Sequence, residues 1–134
     1  MEKVTHLGPA FVDERGQITN IFEGDMQHIA FITSKAGSVR ANHYHKKIHQ
    51  YIYLVSGEFE SHCCDLNNPE KKQMLIVKPG DIVDTPAMIA HAQRFTKDSV
   101  FIALSTAKRH EGKYEEDTTA YKVIEGYINP ELVK

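Results

Sequence analysis

The stretch Gly37-Ser38-Val39-Arg40-Ala41-Asn42-His43-Tyr44-His45-Lys46-Lys47-Ile48-His49-Gln50-Tyr51-Ile52-Tyr53-Leu54-Val55-Ser56-Gly57 decides the fold. Apolar and aromatic residues alternate with polar ones between glycine-bounded ends, the pattern of extended chain with side chains on alternating faces. It predicts strands over Ala41–His45 and Gln50–Ser56, with Ser56-Gly57 as a tight reversal. On that parity His43 and His45 share a face and converge on one point. Gln50, Ile52 and Leu54 share a face of the next strand, so an interior face there puts Gln50 near the histidine pair with an apolar layer beneath it. His49 then points outward, and Tyr51 and Tyr53 lie opposite Gln50, suited to packing between sheets or subunits.

The same punctuation continues along the chain. Short runs rich in Ile, Val, Phe and Tyr predict further strands near Gln17–Phe22, Gln27–Thr33, Glu58–Cys64, Met74–Val77, Asp81–Asp84, Ala90–Phe95 and Val100–Thr106. Lys78-Pro79-Gly80-Asp81 carries Pro then Gly at the central positions of a type II turn, Asp13-Glu14-Arg15-Gly16 reads as a turn, and Asn67-Asn68-Pro69-Glu70 as a longer solvated loop. Near the end, Tyr121, Ile124, Tyr127 and Ile128 form one side of a short helix, with Glu115-Glu116-Asp117 suited to its first turn. With 134 residues and neither repeat nor linker, one all-β domain over 1–134 is expected, an antiparallel barrel with a short C-terminal helix or tail.

Composition narrows the function. Hydrophobic residues are 41% and charged residues 25%, values of an ordinary globular chain. The net charge of −2 with scattered basic residues gives no electrostatic footprint for nucleic acid. The longest apolar run, Tyr51–Val55, is too short to cross a bilayer. Met1–Gly8 has no basic stretch followed by an apolar core, so a cytoplasmic protein is expected. The adjacent Cys63 and Cys64 point to opposite faces of a strand, poor geometry for a disulfide. A small-molecule partner is left as the expectation, with no nucleic acid and no membrane.

A second segment, Gly80-Asp-Ile-Val-Asp-Thr-Pro86-Ala-Met-Ile-Ala-His91, uses a turn, a short strand and a proline bend to deliver a third histidine. Three converging imidazoles suit Zn, Fe, Ni or Cu and leave open coordination positions; they equally suit proton transfer, because an unperturbed imidazole titrates near ~6.5. Spacing alone does not separate the two. His6, His28, His62 and His110 lie outside both segments and read as structural or exposed.

The two segments resemble the paired motifs of the cupin superfamily: Gly37, five residues, His43-x-His45, four residues, Gln50, six residues, Gly57; then Gly80, five residues, Pro86 and His91. Gln50 stands where metal-binding cupins usually carry Glu, and Met88 and Phe95 where the second motif often has Gly and Asn. Asp13-Glu-Arg-Gly16, Arg40, His43-Tyr-His45-Lys46, Gln50, Ser56-Gly57 and Asp98-Ser99-Val100 are similar to the dTDP-4-dehydro-6-deoxyglucose 3,4-ketoisomerases and, more distantly, to the dTDP-4-dehydrorhamnose 3,5-epimerases. The resemblance implies an RmlC-like jelly roll and a homodimer using its N-terminal strands. It also implies His-mediated proton transfer on a nucleotide-linked 4-keto-6-deoxy sugar, with no cofactor required. Under it His45 is the base, His43 and Arg40 stabilise the oxyanion and the phosphates, and Gln50 and His91 contact substrate. A second reading has His43, His45, Gln50 and His91 holding a divalent metal (Zn, Fe, Ni or Mn). A third is a non-catalytic sugar-binding module; Phe31, in a strand where such isomerases typically offer a tyrosine, favours it.

Overall fold

The computed structural model describes residues 1–134. Its strands, in chain order, are β1 (Lys3–His6), β2 (Phe11–Asp13), β3 (Gly16–Ile18), β4 (His28–Ser34), β5 (Val39–His45), β6 (Gln50–Ser56), β7 (Phe59–Asp65), β8 (Asn68–Val77), β9 (Asp81–Thr85), β10 (Ile89–Phe95), β11 (Ser99–Ser105) and β12 (Thr118–Ala120). One short helix, α1 (Lys113–Glu116), lies between β11 and β12. Two five-stranded antiparallel sheets, ordered β1-β9-β6-β11-β4 and β12-β5-β10-β7-β8, face each other, and β2–β3 is a separate hairpin.

Strand parity builds the interior. Ile52, Leu54, Phe59, Val77, Val83, Phe95, Phe101 and Ala103 form one apolar cluster. The register places Gln50 beside Thr85 and Ser105, and His91 between His43 and Cys63, so one end of the interior is apolar and the other polar. Gly57 holds the reversal after β6 with φ 96°. A Cβ there would lie 2.2 Å from Ser99 Oγ, so the tight approach of two strand ends requires glycine. Gly80 (φ 92°) closes the expected turn, with Asp81 N–H donating to Lys78 O at 2.9 Å.

Several expectations are corrected. Gln17–Phe22 is not a strand: pairing stops at Ile18, and Phe22 turns back to pack on Tyr51 at 4.9 Å. β1 and β2 were not foreseen, being three or four residues long and mostly exposed. β8 begins at Asn68, so Asn67–Glu70 is not a loop. As a sheet edge this strand carries Glu70, Lys71 and Lys72, charges that discourage pairing with another chain and that mask its strand signal. The helix is Lys113–Glu116, and residues 121–128 are irregular. They are held by Asn42, whose Oδ1 accepts from Val123 and Ile124 N–H at 2.9 and 3.1 Å and whose Nδ2 donates to Ile124 O at 3.1 Å.

Candidate active site

A bulge in β5 aims the first histidine. His91 pairs with His43 and Ala92 with Ala41, leaving Asn42 as the extra residue; Ala41 and Asn42 have φ of 69° and 55°. Asn tolerates this left-handed region better than most residues. Its buried amide, tied to the tail, holds the kink in place.

The three histidines lie together inside the polar end. Ring centroids of His43 are 4.8 Å from His45 and 4.7 Å from His91, and His45 is 5.5 Å from His91. One ligand nitrogen from each falls within 4.8 Å of the others, and all three residues are buried. Two tautomers follow from their partners. His91 Nδ1–H donates to Ile89 O at 3.0 Å, which leaves Nε2 as a bare lone pair, buried and without a partner. Thr118 Oγ1–H donates to Tyr114 O at 2.5 Å, so at His45 it must accept from Nδ1–H, at 3.0 Å. His45 Nε2 is then the lone pair, and it lies 3.2 Å from Gln50 Oε1, an acceptor placed to receive a proton that Nε2 has taken up.

Burial pushes the basicity of His45 down to about 3, reinforced by the neighbouring His91 imidazole and opposed by Gln50. The same burial, with His91, His45 and Arg109, holds His43 well below an ordinary imidazole. Both rings are therefore neutral near pH 7, available to take a proton or to ligate an ion.

A cavity of about 200 Å³ opens on this cluster, its wall including Arg40, His43, Gln50, His91, Arg109 and Tyr114; His45 is buried behind it. Arg40 also lines an outer groove of about 680 Å³ with Ser34, Lys35 and Ser38. Its Nε donates to Ser34 Oγ at 2.5 Å and its Nη2 to Thr33 O at 2.9 Å. Of the site residues read from sequence, His43, His45, Gln50, His91 and Arg40 are thus brought together. Phe31 is not among them: it points outward from β4 and is 71% exposed, while Ile32 faces the cavity. His49 points away too and hydrogen-bonds Asp84 on the outer face.

Four contributors were missed. Arg109 and Tyr114 reach the cavity from the irregular stretch around α1, with the guanidinium carbon 3.8 Å over the Tyr114 ring. Thr118 sets the tautomer of His45. Glu2 enters the interior from the chain start and accepts from Ser61 Oγ and Thr85 Oγ1, both at 2.6 Å. None sits in a motif, and a lone Tyr or Glu beside charged neighbours gives no signal.

For a metal, the donor set fits in kind: three neutral imidazoles, one with an orphaned buried Nε2. The fourth position is a neutral amide instead of a carboxylate, and the spread of up to 4.8 Å requires the nitrogens to draw together around bonds of ~2.0–2.1 Å.

The fold is that of the RmlC-like cupin jelly rolls. The chain belongs to the FdtA family (WxcM-like, C-terminal), whose model matches residues 3–125. Among solved structures it is similar to QdtA, a sugar 3,4-ketoisomerase from Thermoanaerobacterium thermosaccharolyticum in complex with TDP: 18% identity, 87% of this chain and 85% of that one, TM-score 0.71. A 3,4-ketoisomerase from Helicobacter canadensis matches at 19% identity over 86% and 92% of the two chains, TM-score 0.69. The 3,5-epimerase RmlC from Legionella pneumophila Philadelphia 1, in complex with dTDP-4-keto-L-rhamnose, matches at 16% over 99% and 81%, TM-score 0.74. At these identities the structures establish the fold. No curated protein sequence matched. No helix is long and apolar enough to cross a membrane.

Proposed function

We propose that this chain is an isomerase or epimerase of a nucleotide-linked 4-keto-6-deoxy sugar. The observation that carries it is the buried, neutral histidine cluster at the end of a cavity with an arginine at its mouth. His45 is the base: its Nε2 lone pair removes the proton beside the carbonyl, and His43 and Arg40 stabilise the oxyanion that forms. Gln50 and His91 contact the sugar. The inner cavity suits one sugar ring, and the outer groove with Arg40 and Lys35 suits the diphosphate and nucleoside. The names of the structural relatives support the substrate class. The test is incubation with TDP-4-keto-6-deoxyglucose in deuterated water, followed by NMR. Deuterium beside the carbonyl with a new keto sugar is expected; no exchange across a panel of 4-keto sugars refutes the reading.

The orphaned His91 Nε2 favours one alternative, a divalent ion held by His43, His45, His91 and Gln50 that polarises a small substrate. Stoichiometric metal in protein purified without a histidine tag or chelator would shift the assignment to it. Phe31 points outward and the residue of that strand facing the cavity is Ile32, which carries no hydroxyl, so a non-catalytic sugar-binding module stays as the third reading.

A homodimer belongs to the same reading. β4 is an edge strand whose outer face exposes Ile29 and Phe31, and the β2–β3 hairpin exposes Phe11, Val12 and Ile18. Pairing hairpin to edge across two copies covers both. Light scattering at micromolar concentration should give twice 15.2 kDa; the monomer mass would defeat it. The free, buried Cys63 and Cys64 suit a reducing cytoplasm.

A further inference from the structure

Enolising a keto sugar separates charge inside a buried cavity. When His45 Nε2 takes the proton beside the carbonyl, the carbonyl oxygen is left with a full negative charge, and a water-poor site must supply an opposite charge to hold it. The cavity wall carries no Asp or Glu, so a permanent charge there is positive.

Few groups on that wall can meet the oxyanion with charge. His43 is held neutral by its burial and brings at most an N–H. His91 presents the Nε2 lone pair, which repels an anion. The amides of Gln50 and Gln93 and the hydroxyl of Tyr114 are neutral donors. Arg40 is charged, but its Nε and Nη2 are taken by Ser34 Oγ and Thr33 O, and it is shared with the outer groove. Arg109 is the remaining cation.

We propose, resting on the isomerase reading above, that Arg109 is a catalytic residue whose guanidinium stabilises the enediolate oxygen of the sugar. Its Nε is buried and without a partner, and it makes no ion pair with a carboxylate. A buried N–H of a permanent cation left unpaired is costly, and an oxygen arriving in the cavity satisfies it. The guanidinium carbon lies 3.8 Å over the Tyr114 ring, so stacking fixes its plane without using any of its donors. The charge is close enough to disfavour protonation of both His43 and His45, so it is felt where the proton is removed. It also reaches His28 at the start of β4, whereas Arg40 is tied to Thr33 and Ser34 at the end of that strand. The two guanidiniums therefore approach the cavity from opposite ends of β4. With the diphosphate in the groove beside Arg40, Arg109 is left to the sugar.

The step balances. His45 Nε2 takes the C3 proton, the C–H pair becomes C3=C4, and the carbonyl pair moves onto the C4 oxygen, giving one imidazolium and one oxyanion. The C3 hydroxyl proton passes to that oxygen, which moves the negative charge to the C3 oxygen. Collapse to C3=O returns the C3=C4 pair to C4, which takes the imidazolium proton. The 4-keto sugar has become a 3-keto sugar, and Arg109 has neither gained nor lost a proton.

The experiment uses the full chain with TDP-4-keto-6-deoxyglucose in deuterated water, and TDP alone as the binding probe. Arg109→Gln should lower kcat and the rate of deuterium entry beside the carbonyl together, by ~10²–10³-fold, because the lost charge acts as that proton leaves. KM and the affinity for TDP should stay within about threefold, since neither the neutral ketone nor the diphosphate uses Arg109. A raised KM and a weakened TDP affinity with kcat near wild type would make Arg109 a phosphate clamp and overturn the inference. Deuterium entry within about threefold of an active wild type would overturn it too and leave the isomerase reading intact, whereas an inert wild type refutes the isomerase reading itself. If Arg109→Gln melts early, Arg109→Lys decides: it keeps the charge and should keep kcat within about tenfold, and a loss of about a hundredfold or more from a folded Lys variant overturns the inference.

Discussion

The two ends of the barrel interior hold aromatic rings at nearly equal spacing for opposite reasons. At the apolar end Phe59, Phe95 and Phe101 lie 5.1–6.3 Å apart with no directional partner. At the polar end His43, His45 and His91 lie 4.7–5.5 Å apart, and two of them have their tautomers set by Thr118 and Ile89. Dispersion and water exclusion hold the first cluster and depend on volume. The second buries nitrogen lone pairs away from bulk solvent, which costs stability and makes the groups reactive. The proposed function is thus placed where folding is least favoured.

The largest expected effect that separates the ends is on turnover. His45→Ala should lower kcat by ~10²–10⁴-fold and leave binding of the nucleotide sugar nearly unchanged, read by steady-state kinetics beside calorimetry. Equal loss of binding would make His45 a ligand or a structural group. At the other end Phe59→Ala, at a residue with no exposed surface, should cost about 3–5 kcal/mol in urea unfolding. Its activity per folded molecule should stay near wild type; a selective loss of activity would show that the two ends are coupled.

Acid should act on the polar end and spare the apolar one, whose cluster holds no titratable side chain. The folded basicities of His43 and His45 lie below the ordinary 6.5, so as pH falls through 6.5 the unfolded chain takes up protons that the folded chain refuses. Their contribution is whole above pH 6.5 and is lost as pH falls towards about 3, the value of His45. The slope is about 1.4 kcal/mol per pH unit for each histidine. Unfolding at pH 7, 5 and 4 should show it, and His45→Gln should flatten it by one histidine's share; an unchanged slope would mean that His45 is not neutral when folded.

A smaller change sharpens the role of the amide. Gln50 Oε1 faces His45 Nε2 and accepts from an imidazolium as a neutral oxygen, whereas a carboxylate in its place would favour the imidazolium further with a full negative charge. Gln50→Glu should therefore raise the acid limb of the kcat profile by about one pH unit or more. It should also increase retention of divalent metal, measured by elemental analysis. An unshifted limb would remove Gln50 from control of the base. Least affected should be the exposed Asp13–Arg15 pair on the β2–β3 hairpin: Asp13→Asn should leave the unfolding midpoint in the same assay nearly unchanged.

What the sequence by itself determined was whatever repeats with the period of a strand. His43 and His45 on one face, Gln50 above Ile52 and Leu54, and the turns at Gly57 and Gly80 all follow from local rules of parity and φ. Those rules fail where an element is too short, too charged or too irregular to show a period: β1, the polar half of β8, and the tail that Asn42 holds. Tertiary structure alone brought Thr118 to His45 across 73 positions, Glu2 to Thr85 across 83, and Arg109 with Tyr114 over the cavity. Each of these side chains satisfies a buried polar partner or lines a wall contributed by a distant strand, and no local pattern encodes a contact whose two halves meet only when the sheets close.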